Sequence, residues 1–177
     1  ARVNRILDVA ETMFIEQGYS AATTKAIAAQ AEVPIGTLYQ FFPDKAAILQ
    51  ALAEQYYDLL QAQFKTFDSD EIVQLPLKNY VEQIVEMVDQ FFAEHPGQYA
   101  IFMEVQVTLP EVEEAADAEL IQTLAELLRR RDDSLQADDY EAFGFVSVKY
   151  IGNLLWLSLG QPRQLMHRLL EEIKRLT

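Results

Sequence analysis

The chain has 177 residues, half of them hydrophobic by type, so it can form one sizeable core and is too apolar for a disordered tail. It contains no cysteine and only two histidines, which excludes disulfides, cysteine nucleophiles and multi-histidine metal sites. Because a lack of cysteine suits a reducing compartment, we expect a cytoplasmic protein. The most apolar run, residues 143–159, is short for a bilayer-spanning helix and includes Lys149, so no membrane association is expected.

The net charge of −14 is distributed unevenly along the chain. Residues 1–50 carry four basic and five acidic side chains, a balance of −1, whereas residues 51–177 carry ten basic and twenty-three acidic ones, a balance of −13. Such an excess of carboxylates indicates a solvated helical surface. An alternative interpretation is that the charge keeps residues 51–177 away from nucleic acid.

An amphipathic first helix is predicted at the N-terminus. Its apolar face has three- and four-residue spacing and consists of Ile6, Ala10, Met13 and Phe14. Gly18 can end this helix, because glycine readily adopts the left-handed conformation that closes many helices.

Two shorter helices are predicted next. Thr23 or Thr24 can cap a second, alanine-rich helix, since a side-chain oxygen there accepts from the unpaired amides of the first turn. The pattern is interrupted at residues 33–36, and a third helix resumes at Thr37 and stops at Pro43. Two short helices joined by a tight turn predict a helix-turn-helix, whose second helix enters the major groove of DNA.

The remainder of the chain is also predicted to be helical. Asp44 can cap a fourth helix that runs to about Phe67 and spans about 35 Å, enough to connect a head to a distal domain. The polar stretch 68–71 is the best internal boundary. Further helices are predicted to end near His95 and to cover residues 98–108, 111–131, 139–160 and 162–177. The fold class is therefore all-α, with about nine helices.

The N-terminal motif resembles that of the TetR family of bacterial transcriptional repressors. In that family a Thr-Thr-x-x-Ile-Ala helix precedes Val-x-x-Gly-Thr-Leu-Tyr-x-x-Phe-x-x-Lys. The matching residues here are Thr23, Thr24, Ile27, Ala28, Val33, Gly36, Thr37, Leu38, Tyr39, Phe42 and Lys45. The resemblance covers about the first 50 residues. It implies a helix-turn-helix DNA-binding domain over residues 1–46 and a helical ligand-binding and dimerisation domain over residues 47–177.

The resemblance implies DNA contacts from the second and third helices. Hydroxyl and ammonium groups stand at positions that contact the phosphate backbone in the family, namely Thr24, Thr37, Tyr39 and Lys45. Lys25 lies in the first turn of the second helix, where a cation is unfavourable to the dipole, so a phosphate partner would rationalise it. Three residues remain for reading bases: Pro34, Ile35 and Gln40.

Several of these residues have a structural alternative. Thr24 could be only a helix cap, and Tyr39 only a half-buried ring. Gly36 could relieve crowding, or it could let the helix N-terminus approach a phosphate. The family often has a polar or basic residue where Ile35 stands, which suggests a readout that favours A·T pairs. The weak basic balance of the head is unusual for a DNA-binding segment, and a longer basic arm before Arg2 would explain it.

The distal region is predicted to hold an effector pocket and a dimer interface. Aromatic and methionine side chains from several helices could line one apolar cavity: Tyr56, Met87, Phe91, Tyr99, Phe102, Met103, Phe145 and Trp156. Ordinary core packing is the alternative for each of them. Polar groups for this cavity could come from Glu104, Gln106, Lys149 or Asn153. The resemblance also implies a dimeric four-helix bundle, with Leu154, Leu165, Leu169 and Ile173 at the interface.

The expected function is therefore that of a ligand-responsive regulator. A homodimer would repress transcription from a palindromic DNA operator and be released by a small-molecule inducer, with no cofactor and no enzymatic activity. The alternative is a helical small-molecule-binding or adaptor protein without specific DNA binding. An enzyme is disfavoured because the sequence has no phosphate-binding glycine loop, metal-ligand set or paired histidine and nucleophile.

Overall fold

The computed structural model describes residues 2–95, 97–159, 161, 164–165, 168–169 and 172, with the backbone alone at 68, 77, 81, 151, 155, 156 and 159. Its helices are α1 Arg2–Gln17, α2 Thr24–Gln30, α3 Ile35–Phe41, α4 Lys45–Lys65, α5 Asp70–Val73, α6 Leu77–Glu94, α7 Gln98–Thr108, α8 Pro110–Arg131, α9 Ala137–Val146 and α10 Asn153–Leu159. A 3-10 turn, Thr66–Asp68, follows α4, and a π-helical segment, Ser147–Gly152, joins α9 to α10. No strand occurs among these residues, which confirms the all-α prediction. None of the helices that the structure describes is both long and apolar enough to cross a membrane.

Most helix boundaries agree with the prediction. Gly18 follows α1 with a φ of +84°, in the left-handed region where glycine is favoured. Helix α3 begins at Ile35, two residues earlier than expected, because Pro34 serves as its N-cap and Gly36 is accommodated in the first turn. Helix α5 was not predicted, although Ser69 caps it by accepting from the Ile72 amide at 3.3 Å. The helix predicted over residues 162–177 lies mostly outside the described residues.

The helices form two compact units. The first contains residues 1–59 and 95–114, and the second contains residues 60–94 and 115–177. Helix α4 therefore contributes its first part to one unit and its last turns to the other. The division at residue 46 remains a prediction about function, whereas the first compact unit continues through part of α4 and includes α7.

The first unit has one continuous core. Ile6, Ile27 and Leu38 are fully buried, as their spacing predicted. Ile101 and Val105 of α7 join the same core, which the sequence did not predict, because nothing in the spacing of α7 identifies its partner helix. Helix α7 thereby packs against α1 and becomes part of the support of the head.

In the second unit, Arg131 at the end of α8 holds the end of α5 and the turn after it beside a buried cluster. Phe67, Tyr80 and Leu127 form this cluster. Arg131 donates to the carbonyl oxygens of Val73 and Leu75, both at 2.8 Å, and its guanidinium lies 4.6 Å from the centre of the Tyr80 ring. Because Arg131 makes these contacts with its own chain, its role is structural.

Candidate nucleic-acid interface and effector region

The turn between α2 and α3 is a helix-capping motif. At the end of α2 the Val33 amide donates to the Ala28 carbonyl at 2.9 Å and the Glu32 amide donates to the Ala29 carbonyl at 3.1 Å, the pattern of a Schellman cap. Glu32 takes the left-handed conformation with a φ of +52°, and its carboxylate pairs with Arg5 of α1. This motif fixes the direction in which α3 leaves α2.

One face of α3 is anchored in the core and the rest is exposed. Leu38 is fully buried and Phe42 just after the helix is buried, so these side chains hold α3 against the other helices. The predicted base-reading residues are all exposed: Pro34, Ile35 and Gln40. The side chain of Gln40 forms no hydrogen bond with any residue that the structure describes. The arrangement leaves its amide available to a partner.

The predicted phosphate-binding hydroxyls of α2 and α3 lie side by side. Thr24 Oγ1 and the Tyr39 hydroxyl are 3.0 Å apart, and Tyr39 is half exposed. Thr23, not Thr24, is the N-cap of α2, since its hydroxyl accepts from the Ala26 amide at 3.1 Å. The alternative that Thr24 is only a cap is therefore wrong. Thr37, the third predicted hydroxyl, is half-buried.

Gly36 has open space where a side chain would be. A Cβ built on this residue would meet no atom within 4 Å, and its φ is not in the left-handed region. The alternative that Gly36 relieves crowding within the chain is therefore wrong. Nothing in the described part of the molecule explains why this position lacks a side chain.

Lys45 is used inside the chain, which argues against its predicted phosphate contact. Its ammonium donates to the carbonyl oxygens of Tyr19 at 2.6 Å, Ala22 at 2.9 Å and Ser20 at 3.5 Å. It also lies 4.1 Å from the centre of the Tyr19 ring. An ammonium has three donors, and three carbonyls occupy them. Lys45 therefore fastens the start of α4 to the loop between α1 and α2.

Two exposed residues complete the surface of α2 and α3. Lys25 is exposed and makes no ion pair with the described residues. Its ammonium is therefore available for the phosphate contact that its unfavourable helix position suggested. Phe41 is about half exposed, at 47%, and was not predicted. Spacing did not single it out, because Phe41 and Phe42 lie three and four residues after Leu38 and both positions fall on the same helical face.

Helices α1, α4 and α7 meet in a cluster of polar and aromatic side chains. The Tyr56 hydroxyl donates to a Glu11 carboxylate oxygen of α1, and burial together with this hydrogen bond raises the pKa of Tyr56 above its ordinary range. The Tyr57 ring stacks on that of Phe102, with centroids 4.4 Å apart. At the start of α7, a Cβ on Gly97 would lie 2.4 Å from Cδ1 of Ile15. Helix α7 thus approaches α1 closely.

The residues predicted to line the effector pocket are divided between the two units. Tyr56, Tyr99, Phe102 and Met103 belong to the first, whereas Met87, Phe91, Phe145 and Trp156 belong to the second. Met103 and Phe145 are exposed. The side chain of Trp156 lies outside the described residues. That these eight residues line one cavity remains a prediction.

A separate groove of about 730 Å³ lies between α8 and α9. Ile121, Ala125 and Arg129 contribute from α8, and Ala142 and Phe145 contribute from α9. Of the residues predicted for the effector pocket, only Phe145 is found in its lining. The predicted pocket is therefore not this groove.

The polar groups proposed for the effector pocket already have partners. Gln106 donates to Glu113 at 2.9 Å, and Glu104 accepts from Thr108 at 2.7 Å. Lys149 pairs with Asp117, and the Asn153 amide donates to the carbonyl of Lys149. By contrast, Gln98 of α7 is fully buried and its side-chain oxygen and nitrogen have no hydrogen-bond partner among the described residues. The sequence signal was a glutamine preceding apolar residues at three-, four- and seven-residue spacing: Ile101, Phe102 and Val105.

The predicted dimer residues are only partly described. Leu165 is exposed, Leu154 and Leu169 are half-buried, and Ile173 lies outside the described residues. A row of exposed apolar side chains along α9, the π-helical segment and α10 was missed by the prediction: Phe143, Val146, Tyr150 and Leu157. Single exposed apolar residues need no explanation, but a row of them along consecutive helical segments indicates an interaction surface.

Comparisons with known proteins agree with this architecture. Residues 6–52 match the family described as "Bacterial regulatory proteins, tetR family", and residues 76–177 match "Tetracyclin repressor-like, C-terminal domain". The HTH-type transcriptional regulator UidR of Escherichia coli K12 is 33% identical over 102 residues, which cover 57% of this chain and 48% of that protein. The HTH-type transcriptional repressor DhaR of Mycobacterium sp. GP1 is 31% identical over 111 residues, 62% of this chain and 52% of that one.

The likeness to solved structures concerns the fold. The chain spans about half the length of the curated relatives that it matches. Salmonella enterica GusR has a similar fold with a TM-score of 0.72 at 20% identity, and the similarity covers 99% of this chain and 94% of that one. Both parts of the sequence match models of the same group of proteins, and the matched C-terminal model alone covers more than half of the chain. The chain belongs to the TetR family of bacterial regulators.

Proposed function

We propose that the protein is a ligand-responsive regulator of transcription, and specifically a repressor that a small molecule releases from a palindromic DNA operator. The observation that carries this proposal is the surface of α3, where exposed residues and a glycine with open space follow a capped turn. Family membership and relatives named as HTH-type transcriptional repressors support it. Because such a regulator acts on the chromosome, its place of action is the cytoplasm.

On DNA, some residues position the protein on the phosphate backbone and others read the bases. Phosphates are held by Thr24, Tyr39 and Lys25, and these contacts set the register of the protein on the duplex. Gly36 lets the backbone of α3 approach the DNA closely. Gln40 pairs with adenine, while the apolar residues before it and Phe41 pack on thymine methyl groups. Since α3 carries no arginine, it lacks the usual bidentate partner of guanine, and the readout favours A·T pairs.

A second copy of the chain covers the apolar row on α9, the π-helical segment and α10. Dimers are typical of the family, and the exposed side chains of Val146, Tyr150 and Leu157 form a surface that a monomer leaves in water. Leu154, Leu165, Leu169 and Ile173 extend the same interface in the proposal. A two-fold dimer requires an operator with two inverted half-sites about one helical turn apart, or a multiple of it.

Release by the effector acts through α4 and α7. Both helices are in contact with α1 of the head, by the Tyr56–Glu11 hydrogen bond and by the close approach of Gly97 to Ile15. A ligand that displaces either helix changes the position of α1 and hence the separation of the two α3 helices in a dimer. A hundredfold loss of DNA affinity requires about 2.7 kcal/mol of coupling, and operator DNA must weaken ligand binding by the same factor.

Selection of bound duplexes from a random pool tests the DNA-binding function. We expect an inverted repeat rich in A·T pairs. Gln40→Ala should lose about 1–3 kcal/mol at one base position of each half-site and relax the preference there. Gln17→Ala, the same change at an exposed position of α1, is the control and should bind like the wild type. Failure to enrich any sequence would favour the adaptor alternative.

Sedimentation tests the dimer. The double change Tyr150→Glu and Leu157→Glu should give monomers that bind the selected duplex poorly, because carboxylates would be buried against an apolar surface. Val107→Glu is a matched control, since Val107 is 80% exposed but lies on α7. A double variant that stays dimeric would place the interface elsewhere.

A further inference from the structure

Gln98 has a buried side-chain amide to which no described residue offers a hydrogen bond. Its side chain is 0% exposed, and neither Oε1 nor Nε2 has a hydrogen-bond partner within the described part of the structure. Folded proteins leave few buried polar groups unpaired, because each loses its bonds to water and gains none in return. A group from outside the chain is therefore expected to pair with this amide.

The surroundings of Gln98 combine a helix N-terminus with aromatic rings. Gln98 is the first residue of α7, an eleven-residue helix, and its N-cap Gly97 provides no side-chain cap. Phe102 stands one helical turn further along, and its ring stacks on Tyr57 and lies edge-on to Tyr56. A molecule at this amide would have polar partners at one end and aromatic surface beside it.

The same position is next to the contact between α7 and the head. Gly97, the neighbour of Gln98, is the residue whose Cβ position lies 2.4 Å from Cδ1 of Ile15 in α1. The Gln98 backbone amide donates to the His95 carbonyl at 3.0 Å, and the His95 ring lies edge-on to Tyr56. Binding at Gln98 would therefore act one residue away from the point where α7 meets α1.

We propose that Gln98 recognises the effector, and that the effector carries an uncharged group that both donates and accepts hydrogen bonds, attached to an apolar or aromatic body. The proposal rests on the proposed function of a ligand-responsive regulator. A primary amide offers one acceptor oxygen and two N–H donors. A carboxamide or lactam can pair with both the oxygen and the nitrogen of the Gln98 side chain. A ketone leaves the Gln98 oxygen unpaired, and a hydrocarbon leaves the oxygen and the nitrogen unpaired.

Three probes of equal size test this preference: benzamide, acetophenone and isopropylbenzene. Their affinities are measured by titration while the side-chain NH₂ resonances of the protein are followed by NMR. We expect benzamide to bind at least about tenfold more tightly than isopropylbenzene and to shift the NH₂ signal that is absent in Gln98→Leu. In Gln98→Leu the advantage of benzamide should disappear, while isopropylbenzene binds as well as before or better.

Gln106→Leu is the matched control, because Gln106 lies on the same helix but has a partner in Glu113. It should lose stability and leave the probe preference unchanged. Gln98→Leu should be at least as stable as the wild type in urea, since it removes an unpaired group. A loss of stability in Gln98→Leu like that in Gln106→Leu, equal affinities for the three probes, or no binding by any of them would overturn the proposal. Duplex selection is a separate measurement, so its failure would refute the regulator without altering the probe result.

Discussion

Helices α9 and α3 each contain a glycine, and the two glycines have opposite surroundings. In α9, a Cβ on Gly144 would lie 2.4 Å from the carbonyl oxygen of Ile121, so the packing of α9 on α8 requires a residue without a side chain. In α3, a Cβ on Gly36 would meet nothing within 4 Å. The requirement for Gly144 comes from the chain itself, whereas any requirement for Gly36 must come from a partner.

Two lysines and two glutamines differ in the same way, by whether the side chain has a partner within the chain. Lys45 is bound by three carbonyl oxygens of its own chain, whereas Lys25 is exposed on α2. Gln106 donates to a carboxylate, whereas Gln98 is buried with neither side-chain atom paired to a described residue. Residues whose chemistry is used inside the fold should affect stability when they are changed. Residues whose chemistry is unused should affect binding.

The largest effect is expected at the contact between α8 and α9. Gly144→Ala should lower the free energy of unfolding by about 2–3 kcal/mol, because the methyl group must displace the backbone of α8 and not a flexible side chain. Urea unfolding of the variant measures this. Gly152→Ala is the control, since a Cβ there also meets nothing within 4 Å, and it should not be destabilised. Equal stabilities for the two variants would show that α9 can move away from α8 without cost.

A somewhat smaller loss is expected when the ammonium of Lys45 is removed. Lys45→Met keeps most of the aliphatic stem but leaves three carbonyl oxygens without their donor, so the free energy of unfolding should fall by about 2 kcal/mol. Lys25→Met, at an exposed position, should change it by less than about 0.5 kcal/mol. For DNA binding we expect the larger effect at Lys25: Lys25→Met should reduce the slope of log affinity against log salt by about one. An unchanged stability with a reduced salt slope for Lys45→Met would restore Lys45 as a phosphate contact.

The sequence was sufficient to predict the helical fold and the core of the head. The spacing of Ile6, Ile27 and Leu38 identified buried positions, because each helix has one apolar face and little choice of partner. It did not predict that α7 joins this core, since the pairing of helices distant in sequence depends on shape and not on periodicity. The interruption of the helix at residues 147–152 by π-helical geometry also has no simple sequence signal.

The site was predictable where a motif fixes the residue and less so where only residue type was available. The motif led to Thr24 and Tyr39, whose hydroxyls the structure brings together. It also led to Lys45, whose charge suggested a phosphate contact. In the structure, however, its ammonium donates to carbonyl oxygens of the loop between α1 and α2. Gln98 was missed because a glutamine in a helix is usually exposed, and its spacing to the apolar residues of α7 was the one sequence sign that it is buried.

The smallest expected effect, at Gly36, separates stability from binding most directly because the two should change in opposite directions. Gly36→Ala should raise the free energy of unfolding by about 0.5–1 kcal/mol, since alanine is the better helix former and the new methyl group meets no atom of the chain. Affinity for the selected duplex should nevertheless fall about tenfold, or about 1.4 kcal/mol, because the methyl group prevents close approach of α3 to the DNA backbone. Gly36→Val, with a larger side chain, should lose more affinity while remaining folded. Urea unfolding and fluorescence anisotropy on the same preparations measure both quantities. If Gly36→Ala bound the duplex as well as the wild type, α3 would not approach DNA through its first turn, and the open space at Gly36 would have no functional meaning.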